Sequence, residues 1–336
     1  MSRKHNMNGW WRGVALLLCW GSSAVMLASA DALDAAHHGR DNSCRLCHGE
    51  QRMPAPDASA KCVQCHQHKK VPSTVSSQAG VRGHRLGLAS IDYPPGLRLG
   101  DRPNEMVLIA AGPFIMGSNS RLEDEGPEQR VALPAYYIDR YEVTNLQYQR
   151  FINDTGHRSP GHFSSRRYPQ GKADHPVTFV SWQDAQDYCQ WAGKRLPDEA
   201  EWEKAARGSD GRIFPWGSEF DISAANTPVR WASLGQDGDT TPVGAFPRGR
   251  SPYGLDDMSG NVWEWTASWY QPHPGNHHPS ENYGEIYKVL KGGSWWDCSY
   301  YKCGISAPAF NRSFFNPRVR NSSFGFRCAR DAGKGR

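Results

Sequence analysis

Beyond its first thirty residues the chain has no apolar run long enough to cross a bilayer, and it shows neither heptads nor a fixed-period repeat. Those absences exclude a multi-span helical membrane protein, a coiled coil and a solenoid. Large apolar side chains are also scarce between Asp31 and about Gly100, where Gly, Pro, Ser, His and charged residues dominate. Such a segment buries too little surface to fold unaided. Charge of either sign is nearly balanced. The first thirty residues have the form of an export signal: Arg3, Lys4 and Arg12, then the apolar run "GVALLLCWGSSAVMLA", then "ASA" before Asp31, with cleavage expected after Ala30. Its removal takes three basic and no acidic residues, so the formal charge falls from +5 to +2. Nucleic acid is therefore not an expected partner, and no stable membrane span is expected after cleavage.

What is present is glycine, proline and tryptophan. The 336 residues include 34 Gly, 23 Pro and 13 Trp with 38% hydrophobic residues, a balance that favours a loop-rich fold held by aromatic packing over long helices. There are nine cysteines. Cys19 leaves with the signal, and Leu18 ahead of it does not suit a lipoprotein cleavage site. The other eight face an oxidising, periplasmic compartment in which unpaired thiols are unusual.

Four of them lie in "CRLCH" and "CVQCH". Cys44, Cys47, Cys62 and Cys65 have the spacing of a tetrahedral zinc site. With His48 and His66 directly after each pair, they also have the form of covalent c-type haem attachment, in which two thioethers hold the porphyrin edge and the adjacent imidazole binds the iron. Two copies behind an export signal favour two haems c, which would supply the core that the segment lacks. His37, His38, His68 and His84 are candidate distal ligands, with Met53 as a thioether alternative. The segment resembles small multihaem cytochromes, and bis-histidine iron, having no open position, would transfer electrons.

A joint rich in Pro and Gly, "DYPPGLRLGDRPNE", puts a domain boundary near residue 100. Beyond it, "MVLIAAGPFIMGS" predicts a strand interrupted by a Gly-Pro turn. "ALPAYYIDRYEVTNLQYQRFIND" predicts a strand leading into a helix capped by Thr144, with Leu146, Phe151 and Ile152 facing inward. "SWQDAQDYCQWAGK" predicts a helix from Ser181. "PDEAEWEKAARG" predicts another, with Pro197 at its first position, carboxylates in its first turn and Gly208 at its end. His273, His277 and His278 in "QPHPGNHHPS" have side chains able to bind a transition metal, but the Pro and Gly around them favour a solvated loop.

"GPFIMGS", "YYIDRYEVTNLQYQRFI", "HPVTFVSWQDAQDYCQWAGKRLPDEAEWEKAARG", "FPWG", "PVGAFPRGRSPYGLDDMSGNVWEWTASWY", "LKGGSWW" and "GFRCARD" follow one another in an order that resembles the formylglycine-generating enzyme (sulfatase-modifying factor) family over most of residues 104–331. The resemblance implies an α+β, C-type-lectin-related fold poor in regular secondary structure. It also implies calcium at Asp257, Gly260, Val262 and Glu264, with a second, less closely matched site at Asn226, Thr227, Asp237 and Asp239. Turns held by Asx hydrogen bonds are the alternative to both. Cys189 and Cys328 match a family disulfide. Cys298 and Cys303 match a pair that binds Cu(I) in the family's copper oxidases, and thiolates suit that ion. Here the arginine-rich sequence usual after the second cysteine is replaced by "GISAPAFNRS", so a local disulfide is the competing assignment.

The expected organisation is thus a signal peptide over 1–30, a dihaem segment and linker over 31–100, a formylglycine-generating-enzyme-like domain over 101–331 and a tail over 332–336. The leading functional expectation is a periplasmic redox accessory or maturation factor for an exported protein or peptide, such as a respiratory redox enzyme, with an electron donor or acceptor as second partner. A copper-dependent oxidase that converts a substrate cysteine to formylglycine is the second expectation. A non-catalytic ligand-binding module is the third.

Overall fold

The computed structural model describes residues 99–296 and 307–333. The export signal, both Cys-x-x-Cys-His motifs, the four candidate distal histidines, and Cys298 with Cys303 lie outside the described residues. Among the described residues no helix is long and apolar enough to cross a membrane.

The apolar segment after the joint forms two strands, β1 (Met106–Ile109) and β2 (Gly112–Met116). Their break falls at Ala110–Ala111, two residues earlier than expected. Gly112 and Pro113 instead belong to the ladder between β2 and β3 (Gln129–Leu133), where they face Leu133 and Ala132. β4 (Tyr136–Asp139) pairs antiparallel with β1 and with β9 (Ala329–Asp331). A four-stranded sheet in the order β7-β6-β5-β8 joins β5 (Trp263–Trp269), β6 (Lys288–Lys291), β7 (Ser313–Phe315) and β8 (Phe324–Gly325), with β5 and β8 parallel.

Helix starts follow local chemistry. α1 (Asn145–Thr155) opens on Thr144, whose hydroxyl accepts from Gln147 N while the Gln147 side chain returns a bond to Thr144 N, and Gly156 closes it in the left-handed region. Phe151 and Ile152 are buried as expected, and so is Tyr148, whereas Leu146 is only half-buried. α2 (Trp182–Trp191) is capped in the same way by Ser181. α3 (Glu199–Arg207) starts two residues later than expected. Asp198, not Pro197, lies at its edge, because Asp198 and Glu201 satisfy each other's backbone N–H groups. α4 (Pro228–Leu234) completes the set.

Two apolar clusters form the core. One gathers Tyr148, Phe151, Tyr188, Trp265, Phe324 and Phe326, the other Trp202 with Ile109, Tyr136, Ile138 and Met258. The Cys189–Cys328 disulfide lies in the first and ties α2 to the chain just before β9, with Cα atoms 5.7 Å apart across a separation of 139 residues. In the chain-entropy picture a loop of that length stabilises by about 5 kcal/mol. α3 is buried nearly all round, its charged residues included. Burying those charges is tolerable only because each is ion-paired or, for Lys204, hydrogen-bonded to backbone carbonyls.

Candidate functional site

Three left-handed residues shape the loop ahead of β5. Asp257, Gly260 and Asn261 have φ of +57°, +85° and +60°. The reversal curls the loop onto Asn226: Asn261 N donates to Asn226 O at 2.8 Å, and Asn226 Nδ2 donates to Asn261 Oδ1 at 3.0 Å. A Cβ at Gly260 would lie 2.3 Å from Asn226 O, so glycine is required there. The first predicted calcium loop is therefore packed directly on a residue assigned to the second.

Glu142, just ahead of α1, enters the same space. It is fully buried; Oε2 accepts from Asn261 Nδ2 at 2.6 Å and Oε1 from Val262 N at 3.2 Å. Burial, and next the charges of Asp257 and Glu264, raise its pKa well above the usual carboxylate range. Burial, and next the charge of Asp256, push Asp257 up to about 7. The hydrogen bonds that these two carboxylates accept come from amide groups. Glu264 is placed otherwise. Arg327 forks onto it at 2.7 and 2.8 Å, and Trp202 Nε1 donates to it at 2.8 Å.

This donor set fits a hard cation. Two buried carboxylates whose bonds come from amides face one tight turn, and Ca²⁺ takes carboxylate and carbonyl oxygens. Asp257 would hold it with the carbonyls of Gly260 and Val262. Glu142 is the nearby carboxylate not committed to an arginine, whereas Glu264 is committed to Arg327. Among the described residues no three His, Cys, Asp or Glu side chains converge on a metal position. A cation at this loop would thus depend on backbone carbonyls.

The second predicted set comes together only in part. Asn226 and Thr227 are buried, but Asp237 and Asp239 are exposed. Asp239 pairs with Lys172 at 2.6 Å, and its backbone carbonyl, not its carboxylate, accepts from Asn226 Nδ2. Asn226 Oδ1 accepts from Trp231 Nε1 at 2.7 Å.

The segment that carries Cys298 and Cys303 is anchored at both ends by the first loop. On the near side Trp295 N donates to Asn261 O at 2.9 Å, and on the far side Ser259 Oγ donates to Ala307 O. The segment thus leaves and returns at residues two apart. Trp296, at its start, is 46% exposed.

A second polar network lies around α3. Arg312 forks onto Glu199 at 2.7 and 2.9 Å, and Lys291 bridges to Glu203 at 3.0 Å. Burial by itself would raise the Glu199 pKa, but Arg312, then His273 and Lys291, hold it far below the usual range. His273 corrects the expectation of a solvated loop, since it is 5% exposed with Nε2 3.7 Å from Glu199. Asn276 causes this by donating to the carbonyls of Glu123 and Gly126, which straps the loop down over the 123–126 turn. His277 and His278 are exposed as expected.

Glu142, Arg327, Glu199 and Arg312 were not singled out in the sequence. The signal for Glu142 was its place between Tyr141 and Val143, directly ahead of a helix cap, where a solvated carboxylate has no room.

Short capped helices, three small sheets and a left-handed loop ahead of β5 define a loop-rich α+β domain. The chain belongs to the sulfatase-modifying factor enzyme 1-like domain family, whose profile matches residues 98–332. It is 33% identical to the formylglycine-generating enzyme of Mus musculus over 345 residues, covering 84% of this chain and 89% of that protein. It is 32% identical to the inactive Cα-formylglycine-generating enzyme 2 of Mus musculus, covering 71% of this chain and 90% of that one. Among solved structures, PvdO from Pseudomonas aeruginosa matches with a TM-score of 0.55 at 31% identity, covering 68% of this chain and 94% of that one.

Proposed function

We propose that the chain is an exported redox maturation factor. Its large domain receives a segment of an exported partner protein, and its N-terminal segment carries two c-type haems that exchange electrons with that partner or with a respiratory enzyme. The observation that carries this reading is the union, in one chain, of two Cys-x-x-Cys-His motifs behind an export signal with a domain whose relatives include the formylglycine-generating enzyme. Haem supplies one-electron chemistry without an open iron position. The chain's own part is to hold a partner close to it. Calcium at Asp257, Gly260 and Val262, beside Glu142, would stiffen the loop that anchors the 296–307 segment. The test is haem stain that survives denaturation, on protein made in a host that attaches c-type haem. Ser in place of either the Cys44/Cys47 or the Cys62/Cys65 pair should halve the stain, and an unchanged stain in both variants refutes the reading.

A second reading is favoured by the anchoring of the 296–307 segment at both ends. Here Cys298 and Cys303 hold copper, and the domain oxidises a cysteine of its partner. The reduced protein should then bind one Cu(I), and Cys298→Ser or Cys303→Ser should abolish both that binding and oxygen-dependent turnover of a cysteine peptide. If the pair forms only a disulfide, the double variant keeps its haems and partner binding and loses some stability.

A further inference from the structure

A cleft of about 440 Å³ opens between β2, the end of α3 and Tyr253. That volume is in the range of small-molecule sites. Residues Ala110 to Ile115 line it, and its polar side chains are Lys204, Arg130, Ser209 and Tyr253. Lys204 is the built component: it is 2% exposed, and its ammonium donates to the carbonyls of Ala110 at 2.7 Å and Gly112 at 2.9 Å. An ammonium has three protons, so one has no partner among the described residues. Arg130, at the exposed rim, makes no ion pair among the described residues. The hydroxyls of Ser209 and Tyr253 add two more donors.

No carboxylate lines the cleft. Asp210 is close enough to raise the Tyr253 pKa after burial has done so, but it is forked by Arg212 at 2.6 and 2.9 Å. The lining side chains therefore offer donors and positive charge, with no anionic acceptor. The cleft is open to solvent, so water can take the remaining ammonium proton, but an anion would bond it more strongly.

We propose that this cleft binds a small organic anion through a carboxylate or phosphate group. Lys204 and Arg130 grip the oxyanion, the hydroxyls of Ser209 and Tyr253 bond its remaining oxygens, and Ile115 with the Tyr253 ring covers the attached carbon chain. An anion held here would be a metabolite or a charged group of the partner.

The test titrates the full chain with inorganic phosphate in one arm and acetate in the other, by calorimetry, at ionic strength held constant with chloride. Saturable heat with either probe, weakened roughly tenfold by Arg130→Gln, is expected, since one charge-assisted bond is lost. The arm that saturates identifies phosphate or carboxylate as the preferred group. Lys204→Met should abolish binding if it folds by circular dichroism. If it does not fold, Arg130→Gln and Tyr253→Phe decide the matter. Heat matched by chloride alone, or binding indifferent to Arg130→Gln and Tyr253→Phe together, overturns the proposal.

Discussion

Arg312→Met tests the ion pair that fixes the chain as it returns from the cysteine segment. Arg312 is buried; besides its fork onto Glu199 it donates to Asp124 O at 2.8 Å and Gln271 O at 2.9 Å. Its removal strands a fully buried carboxylate, a change that commonly costs about 3–5 kcal/mol. Lys291 at 3.8 Å and His273 at 3.7 Å remain beside Glu199, so the expected loss is toward the lower end, about 3 kcal/mol. The pH dependence has a definite sign. The Glu199 pKa is depressed in the folded state, so its contribution is present above the unfolded value of 4.5 and is lost as pH falls through the folded value. The variant lacks that contribution. Its deficit should be full at pH 7 and smaller at pH 4. Urea unfolding at the two pH values measures it, with Glu199→Gln/Arg312→Met expected to be less damaged than Arg312→Met because no charge is stranded. A deficit below about 1 kcal/mol at pH 7, as for a surface pair, or one equal at both pH values, refutes the reasoning.

Replacing Cys189 and Cys328 together by Ala should lower stability by about 5 kcal/mol in the loop-entropy estimate, and thermal melts should register it with no change in visible absorption. Because Asp257 is raised to about 7, the Ca²⁺ binding proposed for this loop should release protons and tighten as pH rises through neutrality. Calorimetry in buffers of different ionisation enthalpy reads this, and Asp257→Asn should weaken binding and flatten its pH dependence. Pro197→Ala should cost little, since Pro197 precedes the α3 cap, while Asp198→Ala should cost about 1 kcal/mol in chemical unfolding.

The parts of this fold that were legible in the sequence are those set by neighbours in the chain. Thr144 and Ser181 cap their helices because a residue three positions on completes each cap, and that pattern can be read directly. The Cys189–Cys328 link came from resemblance, since nothing local joins positions so far apart. Pro197 was misplaced by two positions because proline and Asp198 both suit a helix start, and the reciprocal bonds with Glu201 decided between them. Where distant segments meet, the sequence was silent. His273 read as solvent-exposed because its neighbours are Pro and Gly, yet Asn276 draws its loop onto a turn some 150 residues earlier. Glu142 and the arginines 312 and 327 were passed over for a similar reason. Charged residues usually lie at the surface, and only the folded contacts show what compensates their burial.

The central claim, that this domain is joined to haem-based electron transfer, is tested most directly by iron and zinc analysis with an absorption spectrum on the same sample of the full chain, purified from a host that attaches c-type haem. Two irons per chain with a Soret band that survives denaturation is the predicted result. Zinc near one per chain, with no Soret band, would contradict it.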